Sequence, residues 1–160
     1  ENVVVVEPNN QAVRTFFGLN EWPLGQASLD LGERLLTIIP LPGHHKDAIA
    51  VLDHQTNMML TGDSFYPGRL YIKEWSVYQQ SIARLVSFAE QHHVNTFLGT
   101  HIEMTSQAGV DYKTGTTYQP DERSLVLTFD DLTTLNQALI NQGDTPKRET
   151  LEKMIIYPVE

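Results

Sequence analysis

Three short stretches of this chain share one construction: an apolar run, a tight turn, then an ionisable side chain. Leu35-Leu-Thr-Ile-Ile-Pro40 runs into Pro42-Gly43 and then His44. Asn57-Met-Met-Leu-Thr61 runs into Gly62 and then Asp63. Val94-Asn-Thr-Phe-Leu98 runs into Gly99-Thr100 and then His101. Short apolar runs bounded by Gly and Pro read as strands that end in turns. In an α/β sheet such strand ends share one rim, where sites are built. The expected fold class is therefore α/β, with His44, Asp63 and His101 converging on one rim. Two imidazoles and a carboxylate are a donor set suited to zinc or another first-row divalent ion.

These residues carry a family resemblance. Pro42-Gly-His-His-Lys-Asp47, Thr61-Gly-Asp-Ser64 and Gly99-Thr-His-Ile102 resemble the third, fourth and fifth metal motifs of the metallo-β-lactamase-fold hydrolases. They occur in that family's order and with fitting spacing, and the resemblance runs from Leu35 to about Leu127. It implies half of the αββα metallo-β-lactamase sandwich: a mixed sheet with helices on one face. It also implies that His44 and His101 are terminal ligands of two different metals, with Asp63 the carboxylate that bridges them and takes part in catalysis. The implied cofactor is zinc, or another divalent metal such as manganese or iron. The implied activity is metal-dependent hydrolysis of an ester, thioester, amide or lactam bond in a small-molecule substrate. The branch resembled is glyoxalase II-like or an uncharacterised bacterial one, whose features include Gly115-Thr-Thr-Tyr-Gln-Pro-Asp-Glu122.

One departure outweighs the matches. The family's first two motifs read His-x-His-x-Asp-His and precede the Pro-Gly-His turn, but residues 1–43 contain no histidine. The chain therefore reads as a single domain, 1–160, that corresponds to the C-terminal portion of the fold, and as inactive or incomplete alone. The alternative from another class is a non-catalytic α/β module that dimerises or pairs with another polypeptide. In the full fold two halves pack sheet against sheet across an apolar layer about 10 Å thick. Leu36, Ile38, Ile49, Val51 and Met59 are expected on the face that would meet that layer. A homodimer, or a complement to the missing N-terminal half, would cover it.

Each residue also has a plainer reading. His44 can be a turn-capping loop histidine, Asp63 a turn aspartate bonding backbone N–H groups, and His101 an ordinary core or surface histidine. The companion motifs favour the ligand roles. His45 is a spare ligand or a solvent-facing histidine, and Asp47 orients His44 or caps a turn. Glu103 resembles the acidic residue that follows this histidine in glyoxalase-like members, and surface placement competes with that role. Tyr66 lines a substrate pocket or packs a loop. His54, His92 and His93 receive no function.

A formal net charge of −9 argues against a nucleic-acid partner, which demands a basic surface. No apolar run approaches the roughly 20 residues of a membrane span, so no membrane partner is expected. A soluble chain, cytoplasmic or periplasmic, is the expectation. The cysteine count of 0 excludes disulfides and thiolate ligands. The chain opens at Glu1 without Met or an evident signal peptide, as a processed form or a fragment of a longer protein would.

Other elements follow from periodicity. Asn2 to Glu7 reads as a strand, and residues 11–29 as a short helix or loop. Leu31-Gly-Glu-Arg34 reads as a hairpin turn. The Ile82, Leu85, Val86, Ala89 stripe predicts a helix from near Trp75 to about His92. Asp130 or Asp131 is expected to cap a second helix carrying Leu132, Leu135, Leu139 and Ile140, ended by Gly143. A last short helix is expected over residues 147–153.

Overall fold

The computed structural model describes residues 3–159. In chain order the elements are α1 (Asn10–Phe17), β1 (Ala27–Asp30), β2 (Leu35–Pro40), β3 (Ile49–Asp53), β4 (Met58–Gly62), β5 (Arg69–Ile72), α2 (Trp75–Gln91), β6 (Thr96–Gly99), β7 (Val126–Leu127), α3 (Phe129–Gln142), β8 (Glu149–Thr150) and β9 (Ile155–Pro158). Six strands form one sheet in the order β1-β2-β3-β4-β6-β7. The first four pair antiparallel, β4 and β6 pair parallel, and β7 returns antiparallel, so the sheet is mixed. The parallel step needs a crossover, and α2 supplies it.

Local chemistry explains the boundaries. The Asn9 side chain accepts from the Ala12 N–H at the start of α1, and Gly18 ends the helix in the left-handed conformation. In α3 the cap is Thr128, not Asp130 or Asp131: its hydroxyl accepts from the Asp131 N–H, and the Asp131 carboxylate accepts from the Thr128 N–H. This is a reciprocal capping box, which satisfies two otherwise orphaned donors.

The core lies on one side of the large sheet. Ala50, Leu52, Met59, Phe97 and Leu127 point into it and meet Ile82, Leu85 and Ala89 of α2 and Leu132, Leu135 and Leu139 of α3. The register fixes this alternation: Leu52 pairs with Met59, and Met59 with Phe97. Neighbouring positions along each strand necessarily face the other way. Met59 is thus a correction to the expected open face; it is fully buried beneath the helices. Leu36, Ile38, Ile49 and Val51 do lie on the side away from the helices, with Met58, Leu60 and Asp53.

Two further expectations give way. Asn2 lies outside the described residues, and residues 3–7 form no strand. Residues 147–153 are not helical: Glu149 and Thr150 pair with Ile156 and Ile155 in a hairpin. That segment has no apolar stripe to bury, so pairing with β9 satisfies its backbone instead. Arg69–Ile72 is a strand, but it lies outside the main sheet. It pairs parallel with β9 in a second, three-stranded sheet ordered β5-β9-β8. Leu70, Ile72, Met154 and Ile156 of this region belong to the same core as α2 and the large sheet.

Candidate metal centre

His44 follows β2 in a loop held by α2. Gly43 has φ +132°, and a Cβ there would stand 2.5 Å from Tyr78 Cα. Only glycine permits that approach, which explains the Pro-Gly turn. The Gly43 carbonyl accepts from the N–H groups of Lys73 and Glu74 at 3.0 Å each, tying the loop to the helix entrance. The ring of His44 is then fixed: its Nδ1 donates to the Tyr71 carbonyl at 2.7 Å. A carbonyl only accepts, so Nδ1 carries the proton, and Nε2 is the nitrogen left to act as a ligand.

Asp63 follows β4, after Gly62 at φ +54°. Its turn is anchored from below. The Thr61 hydroxyl donates to the Phe65 carbonyl at 2.6 Å, the Ser64 N–H donates to the Thr61 carbonyl, and the buried Tyr78 hydroxyl donates to the Ser64 carbonyl at 2.6 Å. Thr100, beside His101, donates its hydroxyl to Asp63 Oδ1. His101 follows β6, and because β6 lies parallel to β4, both chains end on the same rim.

The three side chains come together. His44 Nε2 lies 3.8 Å from Asp63 Oδ2, and His101 Nε2 lies 3.2 Å from Asp63 Oδ1. Each imidazole faces a different carboxylate oxygen. The rim is open: the Asp63 and His101 side chains are 44% and 47% exposed, and His44 is 19% exposed.

This donor set has the right chemistry for a divalent ion but is short in number. Each carboxylate oxygen has one imidazole beside it, whereas zinc takes three or four protein ligands. Among the described residues, no group of three or more His, Cys, Asp or Glu is arranged to hold a metal ion. The residues fit as two half-sites that share Asp63, each needing further ligands.

The other expected residues lie around the trio in different ways. Asp47 pairs with His45, not with His44; the Tyr71 carbonyl orients His44 instead. His45 turns away to this buried carboxylate. Glu103 does not face the trio: its oxygens accept from the Arg69 side chain at 2.8 Å, the Arg69 N–H at 2.7 Å and the Tyr66 hydroxyl at 3.2 Å. Tyr66 is 1% exposed, so it packs beneath the site and does not line an open pocket. Its ring stacks on His101, with centroids 4.3 Å apart and planes at 24°. Arg69, which also reaches Asp111 at 2.8 Å and the Tyr112 carbonyl, carried no signal in the sequence.

A mixed α/β sheet thus brings the His, Asp and His strand ends to one rim. The chain is 29% identical over 82 residues to the acyl-coenzyme A thioesterase MBLAC2 of Gallus gallus, a match covering 48% of this chain and 29% of that protein. It is also similar to the crystal structure of an archaeal metallo-β-lactamase superfamily protein from Sulfolobus tokodaii, at 15% identity and a TM-score of 0.47, covering 79% of this chain and 41% of that one. No family model matches the chain. The chain thus spans less than half the length of either protein. Among the described residues, no helix is long and apolar enough to cross a membrane.

Proposed function

We propose that this chain carries one half of a divalent-metal hydrolase centre acting on a small acyl substrate. In it His44 and His101 would each help hold a divalent ion, with Asp63 shared between them. The observation that carries this reading is the pair of imidazole Nε2 atoms facing separate oxygens of one carboxylate. Zinc fits the donors best; manganese or iron is the alternative. A divalent ion held there lowers the pKa of a water and polarises a carbonyl. The chain's own residues supply positioning: the Tyr71 carbonyl sets the His44 tautomer, and the Thr100 hydroxyl donates to Asp63 and holds its orientation.

An ester or thioester is the favoured bond, and the name of the chicken relative supports a thioester in particular. Because the rim supplies only half the ligands, residues 1–160 alone are expected to bind zinc weakly and to turn over nothing. Calorimetric titration with zinc, beside assays with thioester, lactone and β-lactam substrates in excess zinc or manganese, tests this. Zinc binding lost in Asp63→Asn, without turnover, is the expected result. Robust turnover that disappears in His44→Ala would show the half-site to be complete, and zinc binding unchanged in His44→Ala, Asp63→Asn and His101→Ala alike would end the metal reading.

A second reading is favoured by a different observation. Leu60, Met58 and Val126 are 47%, 37% and 44% exposed on the face of the large sheet away from α2 and α3. With Leu31, Leu36 and Val51, the first two line an apolar groove of about 230 Å³. A module that pairs through this face, with a second copy or with the missing half, uses the rim only as part of a joint site.

A further inference from the structure

The two histidines of the rim are held in different ways. His44 has a backbone carbonyl on its Nδ1. His101 has no such partner: among the described residues its Nε2 faces Asp63, and no hydrogen bond reaches its Nδ1. With nearly half its side chain exposed, the ring would be free to turn about χ2 if nothing else fixed it. Among the described residues the flat surface against it is Tyr66, stacked at 4.3 Å.

Tyr66 is itself closely confined. A Cβ on Gly68 would collide with the Tyr66 ring, and a Cβ on Gly99 would collide with the Tyr66 Cβ. Both glycines have negative φ, so the reason for glycine at each is space rather than backbone conformation. The phenol hydroxyl is buried and donates to the Arg69 carbonyl, with Glu103 Oε2 at 3.2 Å as a second acceptor. Burial, then the charge of Glu103, raise the phenol well above its ordinary pKa, so it remains a donor. Glu103 in turn is held by the main chain and guanidinium of Arg69, whose Nε donates to Asp111.

We propose that Tyr66 is a positioning residue that fixes the ring of His101, and that Glu103 and Arg69 serve the site by holding Tyr66. The inference rests on the metal-centre reading for its purpose but not for its geometry. A stacked aromatic wall does for His101 what a carbonyl does for His44: it restricts the ring so that Nε2 stays aimed at the rim. Outer partners of a ligand imidazole are typically worth about 10–100-fold in metal affinity. A hydrogen-bond-free wall belongs at the lower end of that range.

Proton NMR of the metal-free chain gives the first test. The ring protons of His101 should lie upfield of those of His44, His45 and His93, shifted by the Tyr66 ring current, as those of His92 are by the Phe88 ring 4.2 Å away. In Tyr66→Leu the upfield shift should vanish and zinc affinity fall by about tenfold, with the circular dichroism spectrum unchanged. Tyr66→Phe keeps the wall but loses the hydroxyl through which Arg69 and Glu103 hold it, so it should restore most but not all of the shift, with zinc affinity between those of the parent and Tyr66→Leu. Glu103→Gln keeps the shape and weakens the hold on Tyr66, so it should reduce the His101 shift partially; it keeps the test open if Tyr66→Leu does not fold. Unshifted His101 protons in the parent chain would overturn the proposal, as would zinc affinity equal in parent and Tyr66→Leu. A clear upfield shift with no zinc binding by the parent would instead uphold the stack and remove the metal-centre reading.

Discussion

Asp63 Oδ1 stands 3.2 Å from His101 Nε2, while its second oxygen is turned to His44. One carboxylate therefore serves two imidazoles that arrive from two different strand ends. Removing either histidine leaves one half-site, but neutralising Asp63 disables both. Zinc affinity, measured by competition with a chromophoric chelator, should fall by about tenfold or more in His44→Ala and in His101→Ala. It should fall further in Asp63→Asn than in either. Equal losses in all three variants would mean that the carboxylate is not shared.

The loop that presents His44 depends on the absence of a side chain at Gly43. Gly43→Ala would place a methyl group 2.5 Å from Tyr78 Cα at a φ of +132°, so both backbone strain and overpacking act together. The neighbour in the way is helix backbone, which cannot swing aside. A loss of about 3 kcal/mol is expected by denaturant unfolding. Gly115→Ala is the control: it has a positive φ of +83° but open space around it, so it should cost about 1 kcal/mol.

Acid sensitivity should have one identifiable contributor. Asp53 is buried at the end of β3, where Arg34 donates to both its oxygens at 2.5 and 3.3 Å and Thr56 donates at 2.7 Å. The Arg34 guanidinium, then the Thr56 hydroxyl, hold its carboxyl far below the usual carboxylate range. A depressed carboxyl stabilises the fold above its unfolded pKa of about 3.9, and that contribution fades as the pH falls below it. Thermal midpoints should therefore drop on acidification below about pH 4. Asp53→Asn should be less stable than the parent at pH 7 and should lose less on acidification. Parallel pH profiles for the two chains would show that Asp53 is not the group involved.

The three strand–turn units, and with them the convergence of the trio, were legible because their signals are local. Apolar runs, Gly62 and Pro42-Gly43 announce themselves within a few residues. The helix from Trp75 to Gln91 was legible for the same reason, through its apolar stripe. What stayed hidden depends on partners distant in sequence. Arg69–Ile72 reads as a strand, but only its pairing with residues 155–158 places it in a second sheet. The side of the sheet that Met59 faces depends on strand register, and a shift of one residue reverses it. Glu103 looks like a site residue until Arg69, 34 positions earlier, is seen to occupy it. Hydrogen bonds between distant loops leave no periodic trace, so no composition or spacing argument could have found them.

The open sheet face leads to a prediction about assembly. Val51 pairs with Leu60 and with Ile38, and Asp53 with Met58 and Leu36; Ile38 and Asp53 are buried, so Leu36, Val51, Met58 and Leu60 form the accessible apolar surface opposite the helices. α1 contacts β1 and buries none of its own residues, while Ile38 and, before β1, Leu19 are each 1% exposed, so the open part of the face is the end around Leu36, Met58 and Leu60. Soluble monomers rarely leave apolar patches larger than a few hundred Å². A second copy of the chain, related by a two-fold axis, offers the same apolar face and closes the assembly without leaving a free patch. The chain is therefore expected to sediment as a dimer at micromolar concentration, with at least about 1,000 Å² buried between the copies. Leu60→Asp tests which face is used. Leu60 is 47% exposed in the single chain, so the change should leave the fold and its thermal midpoint nearly intact. In a dimer built on this face it would bury two unpaired carboxylates at the contact, and should convert the dimer to a monomer. A parent chain that stays monomeric at tens of micromolar would remove the dimer. A dimer indifferent to Leu60→Asp would move the contact to another surface.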